Sequence, residues 1–157
     1  MQFEKFTMKS QEALQEAQSL AQSKGHQQIE PEHLLKVLLA QPEGIVPSVL
    51  RKMGVEIQAI EAEVDEAVNN LPLVSGAGLQ IYMSPTLNQI LEKAFAIADK
   101  MKDEYVSQEH LVLAILDAAS HTKAGQVLTG RGVNKDTFLQ ALVSIRGSQR
   151  ITDPNPE

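Results

Sequence analysis

Apolar residues recur along this chain at helical rather than strand spacing. Leu14, Ala17 and Ala21 fall at i, i+3 and i+7, one face of a helix, and Leu91, Ala94 and Ala98 repeat that spacing. Residues 34–39 and 111–116 are apolar nearly all round, which predicts central, buried helices. Local start and stop residues bound these patterns. Thr7 predicts the N-cap of a helix running to about residue 24, with Gly25 ending it. Ser84-Pro85 predicts a cap followed by proline at the first helical position, where no amide hydrogen is needed. Second helices are expected from Glu30-Pro31-Glu32 and from Ser107-Gln108-Glu109. Short third helices are expected at about 47–53 and 123–129, with Gly54 and Gly132 letting the backbone turn. Fourth helices are expected at about 57–70 and 135–146, the latter capped by Asn134. Strand patterns are nearly missing, apart from an extended segment expected at 79–82.

The pattern is stated twice. Residues 6–39 align with 83–116 at a constant offset of 77. The identities are Leu14/Leu91, Ala17/Ala94, Ala21/Ala98, Glu32/Glu109, His33/His110, Leu34/Leu111 and Leu39/Leu116. After a one-residue shift, Val49-Leu50 matches Val127-Leu128 and Gly54-Val55 matches Gly132-Val133. A repeat of this length is a whole folding unit. The expected fold is all-α: duplicated four-helix repeats, about eight helices in total, related by a pseudo-two-fold axis. Repeat one covers about 6–70, a Gly/Pro/Ser-rich connector 71–83, and repeat two about 84–146, so that 1–146 form one domain. Residues 147–157, with two prolines and little apolar content, read as the start of an interdomain linker. The seam between the copies is the natural place for function.

Composition narrows the chemistry. At 157 residues the chain suits one domain and needs no metal or disulfide to hold it together. Cysteine is absent, which excludes thiol chemistry and cysteine-ligated zinc. The formal charge of −6, scattered basic residues and 4% aromatic content argue against nucleic-acid binding. No apolar run has the length of a signal core or membrane span, so a cytoplasmic location without membrane contact is expected. Phosphate-binding, H-E-x-x-H and G-x-S-x-G motifs are missing, and neither cofactor nor metal is expected. His33 and His110 recur near helix starts, where a histidine more often satisfies a local backbone group than binds a metal. Glu32 and Glu109 recur in first helical turns, where the free amides favour negative charge by about 0.3–1 kcal/mol. With no nucleophile or oxyanion device beside them, catalysis is not expected.

The repeats also differ. The second carries Phe95, Met101, Tyr105 and Leu113 where the first has Gln18, Lys24, Gln28 and Lys36. These apolar groups either fill the seam or line an apolar groove for a partner, with Asp103 and Glu109 on its rim.

The duplicated Phe6-Thr7, Leu14, Ala17 and Glu32-His33-Leu34 pattern resembles the amino-terminal domain of Clp-type AAA+ unfoldases. Residues 25–35, 71–76 and 103–111 carry the resemblance, which covers 1–146 and is finest to the ClpB, or disaggregase, branch. The resemblance implies a non-catalytic module that binds exposed apolar segments of unfolded or aggregated polypeptides and regulates their delivery to an ATPase pore. Its partners would be such polypeptides, the ATPase modules of its own full-length hexamer, and adaptor proteins. Family positions for substrate handling match Thr7, Asp103 and Glu109, beside a groove to which Phe95, Met101, Tyr105 and Leu113 are assigned; Lys93 and His110 also fall on groove-side positions. The ClpC branch implies an alternative, adaptor docking or recognition of phosphorylated arginine by the acidic pair Glu32 and Glu109.

Overall fold

The structure, a computed structural model, describes residues 2–41, 43–74, 80–147 and 150–156. Among them lie eight α-helices: α1 (Met8–Ser23), α2 (Pro31–Ala40), α3 (Ile45–Met53), α4 (Ile57–Asn69), α5 (Pro85–Lys100), α6 (Gln108–Asp117), α7 (Lys123–Gly130) and α8 (Lys135–Arg146). The all-α duplicated architecture is therefore the one the chain adopts. The caps follow from the sequence. Thr7 Oγ1 accepts from the Ser10 amide at 3.2 Å, Ser84 Oγ from Leu87 at 3.0 Å, and Asn134 Oδ1 from Thr137 at 2.9 Å. α3 begins two residues earlier than expected, with Pro47 inside its first turn rather than opening it.

Two short strands, β1 (Gln28–Ile29) and β2 (Tyr82–Met83), pair in parallel, Ile29 opposite Met83. The expected extended segment is thus found at its far end, whereas residues 75–79 of the connector lie outside the described residues. A single bridge, Phe6 opposite Val106, completes the pattern. Phe6 and Met83 are repeat-related, as are Ile29 and Val106. Each copy therefore sends its leading strand across the axis to pair inside the other copy.

The helices interlock in the same way. Within each copy α1 packs on α2 and α5 on α6. Across the axis, α3 packs on α8 and α4 on α7, so neither copy closes its own core. α2 and α6 form the middle layer. From Gln108 to Leu116 every residue of α6 is buried, as the unbroken apolar pattern requires. One continuous apolar cluster spans both copies, with Phe6, Leu34, Leu91, Leu111 and Phe138 among its fully enclosed members.

Candidate functional site

The loop between α5 and α6 and the start of α6 hold a buried polar cluster. At the N-terminus of α6 the amide of Ser107 donates to Nδ1 of His110 at 2.9 Å, which places the ring proton on Nε2. That Nε2–H donates to Asp103 Oδ2 at 2.7 Å. Asp103 Oδ1 accepts from the guanidinium of Arg146, in the last turn of α8, and from the amide of Ile151 at 2.8 Å. Arg146 Nη1 also lies 3.7 Å from Glu109 Oε2. Burial alone would raise the Asp103 pKa. The hydrogen bonds from His110, Arg146 and Ile151, with the Arg146 charge, outweigh it and hold the carboxyl at about 2.

Repeat one builds a neutral version of this cluster. His33 Nδ1 accepts from the Glu30 amide at 2.8 Å, as His110 does from Ser107, so both histidines satisfy a helix-start backbone group. The residue seven before each histidine completes the pair. In repeat two it is Asp103; in repeat one it is His26, whose Nδ1 lies 2.8 Å from His33 Nε2. Burial, then the neighbouring ring, lower the His33 pKa to about 4, and burial, then Lys24, lower that of His26. Glu32 is buried at two helix starts: its Oε2 accepts from the Ala124 amide of α7 at 3.3 Å. Burial, then Glu30, raise its pKa against the pull of the Ala124 and Glu32 amides.

Two clefts flank the Asp103 cluster. One, of about 670 Å³, has Phe95, Ala98 and Val106 as apolar lining and Lys5, Asp99, Lys102, Asp103 and Glu104 as polar lining. The other, of about 530 Å³, is lined by Thr7, Ile45, Ser107, Gln108, Glu109, Ile145, Arg146 and Ile151. Asp103 stands on the divide, since it lines the first while its partners Arg146 and Ile151 line the second.

Of the residues singled out in the sequence, Phe95 and Asp103 thus border one cleft and Thr7 and Glu109 the other. Phe95 is half-buried, its ring edge-on to Phe6 with centroids 5.0 Å apart. Thr7 is buried, and its hydroxyl is engaged with Ser10. Met101 and Tyr105 are half-buried and line neither cleft. Leu113 requires a correction. It is 1% exposed within the core, so it presents no surface to a partner, because α6 is enclosed all round at that level. Two groove-side positions move as well. His110 is completely buried beneath Asp103, and Lys93 sits at a separate depression, 3.8 Å from Asp117. Glu32 and Glu109 answer to different partners, the Ala124 amide and Arg146. Sequence reasoning missed Arg146 and Ile151. It also missed Gln108, which donates to the Lys9 carbonyl at 3.1 Å and leaves a buried Oε1 without a hydrogen-bond partner among the described residues.

The family described as the Clp repeat (R) N-terminal domain matches residues 5–131. This chain belongs to that family. Among its relatives is the chaperone protein ClpB of Nitratidesulfovibrio vulgaris, 40% identical over 160 aligned residues that take in all of this chain and 18% of the relative. The chain thus corresponds to the N-terminal region of ClpB-type chaperones and spans under a fifth of their length. The Hsp104 N-terminal domain of Candida albicans superposes with a TM-score of 0.82 at 27% identity, covering 95% of this chain and 96% of that one. A ClpV N-domain, solved in complex with a VipB peptide, gives 0.73 at 22% identity over 94% and 92% of the two chains and shares the fold. Among the described residues of this Clp N-terminal domain, no helix is long and apolar enough to cross a membrane.

Proposed function

We propose that this Clp N-terminal domain is a non-catalytic receptor for exposed apolar segments of unfolded or aggregated polypeptides, regulating their delivery to the ATPase modules of a full-length disaggregase. The observation that carries this reading is the pair of clefts meeting at Asp103, each combining apolar lining with charged groups. A client without fixed shape offers short apolar runs, and burial at about 25 cal/mol/Å² is non-directional, so such a surface accepts many sequences weakly. A domain of the same fold that accepts a peptide is consistent with it. The polar groups here serve structure: Thr7 caps a helix, Glu32 accepts from an amide and Glu109 faces Arg146.

The test is a ¹⁵N titration of the domain with a permanently unfolded, apolar-rich polypeptide, with its folded counterpart as control. Shifts confined to residues of the two clefts, among them Phe95, Asp103 and Glu104 of the first and Thr7, Glu109 and Ile151 of the second, and only with the unfolded form, are expected. No shifts at millimolar client, or equal shifts with the folded control, would overturn the reading in favour of adaptor docking. The phosphoarginine alternative gains nothing from the geometry, because the ligand's guanidinium would have to compete with Arg146 for Glu109 while Glu32 answers to a different helix.

A further inference from the structure

Residues 150–156 do not extend away from the domain; Arg150, Ile151 and Pro156 return to form part of the wall of the second cleft. Ile151 is buried there, 8% exposed, its amide donating to Asp103 Oδ1 at 2.8 Å. Its carbonyl accepts from the Glu104 amide at 2.7 Å, and the Pro154 carbonyl accepts from the Met8 amide, at the start of α1, also at 2.7 Å. Three hydrogen bonds of its backbone and one apolar side chain help to seat this segment, in which Arg150 is engaged as well. None of the three depends on the segment's own side chains, which is how a groove reads an extended peptide of any sequence. Ile151 is buried but is not a member of the main apolar cluster, and it borders the second cleft.

The sequence of the segment suits a displaceable occupant. It holds one large apolar residue, and Pro154 and Pro156 carry no amide hydrogen, so the chain has fewer donors than a client strand would. Pro154 uses the acceptor it retains. Asp103, Glu109 and Thr7 are all buried in this state, and the segment bonds directly to Asp103 and runs beside the other two.

We propose that residues 150–154 are a built-in competitor for the client groove, and that a client binds by displacing them in the same backbone register. The client would then offer an amide to Asp103, a carbonyl to the Glu104 amide, an apolar side chain to the Ile151 seat and a further carbonyl to the Met8 amide. This rests on the client-receptor reading above. Because the competitor is tethered, its effective concentration is high and its docking needs little intrinsic affinity.

The experiment compares the full chain with Ile151→Asp, which puts a charge in the apolar seat. Amide hydrogen exchange of Ile151, Glu104 and Met8 is read without client, and then the dissociation constant for the permanently unfolded polypeptide is measured. In the unaltered chain the three amides are expected to be protected. In Ile151→Asp, protection is lost and client affinity rises roughly three- to ten-fold, the factor by which docking depletes the free groove. A synthetic peptide of residues 148–157 added to Ile151→Asp should weaken client binding again. Fast exchange in the unaltered chain overturns the proposal, and so does an unchanged client affinity once protection is lost. If neither chain binds the polypeptide although the amides are protected, it is the client reading that fails, and competition with it.

Discussion

Replacing His26 by Asp would convert the neutral pair of repeat one into the charged pair of repeat two. In the unaltered domain His33 Nε2–H faces His26 Nδ1 at 2.8 Å, and the His33 pKa is lowered to about 4 by burial and by that ring. A folded-state pKa below the unfolded value of 6.5 means that the unfolded chain takes up the proton first. Stability therefore falls as pH drops from about 6.5 to about 4 and levels off below. The full depression corresponds to about 3 kcal/mol, shared between the two coupled rings. In His26→Asp the carboxylate accepts from Nε2–H, as Asp103 does from His110, and favours the imidazolium. The His33 pKa rises and the acid loss shrinks or reverses.

The variant should be less stable than the parent by about 1–3 kcal/mol at pH 7.5, since it buries a carboxylate without the equivalent of Arg146. That deficit should close on acidification. Urea unfolding followed by circular dichroism, at steps from pH 7.5 to 4.5, measures it; at about 2 kcal/mol per M, a 3 kcal/mol change moves the midpoint by about 1.5 M. An NMR titration of the His33 ring reads the pKa directly. Parallel pH profiles for parent and variant, or a parent His33 titrating at its ordinary value, would refute the argument.

Three further outcomes follow from single contacts. Lys102 has φ 63°, at the position where repeat one has Gly25 at φ 77°, so Lys102→Gly should raise the urea midpoint by about 0.5–1 kcal/mol equivalent; a loss would mean that the lysine side chain is anchored. Gly125→Ala would place a Cβ 2.5 Å from Ala119 Cα and 2.8 Å from the Ile115 carbonyl oxygen, and should cost more than about 2 kcal/mol; an unchanged melting temperature would contradict the close approach of α7 to α6. Leu113→Ala should cost about 2–5 kcal/mol while leaving client affinity of the folded fraction unchanged, whereas Phe95→Ala should weaken client binding; equal affinity losses would return Leu113 to the groove.

Local features were legible where local physics decides them. Thr7, Ser84 and Asn134 cap the helices their chemistry indicates, and the all-round apolar runs of α2 and α6 lie in the middle layer. The interlock was not legible, because an apolar face shows that something covers it and not which helix does: α3 could equally have packed mainly on α4 rather than on α8. Leu113 was misread by assuming that it shares the surroundings of Lys36. Lys36 reaches Asp65 across α2 and α4, whereas Leu113 is enclosed, and the unbroken apolar character of α6 was the better guide. Arg146 looked like an ordinary cation in a last helical turn; its partner lies 43 residues away. One signal was available. The alignment that pairs His33 with His110 also pairs His26 with Asp103, and a charged residue opposite a neutral one marks the copy that needs a counter-ion.

The duplication also bears on which end of the molecule would hold the proposed groove. In repeat one the segment after α4 also turns back, since the Val74 amide donates to the Gly25 carbonyl at 3.1 Å. Both copies therefore return the segment after their fourth helix to the loop after their first. In repeat one that segment lies between α4 and β2 and is held by the fold on either side, so its removal would strain the whole domain. In repeat two it follows α8 and is held by backbone hydrogen bonds of Ile151 and Pro154, by the buried Ile151 side chain and by contacts of Arg150. Both copies receive a returning segment, but among the described residues only that of repeat two buries an apolar side chain, Ile151 at 8% exposure against 41% for Val74. Asp103 then distinguishes that seat chemically, since its carboxylate can accept from any incoming amide, whereas His26 Nδ1 is already committed to His33.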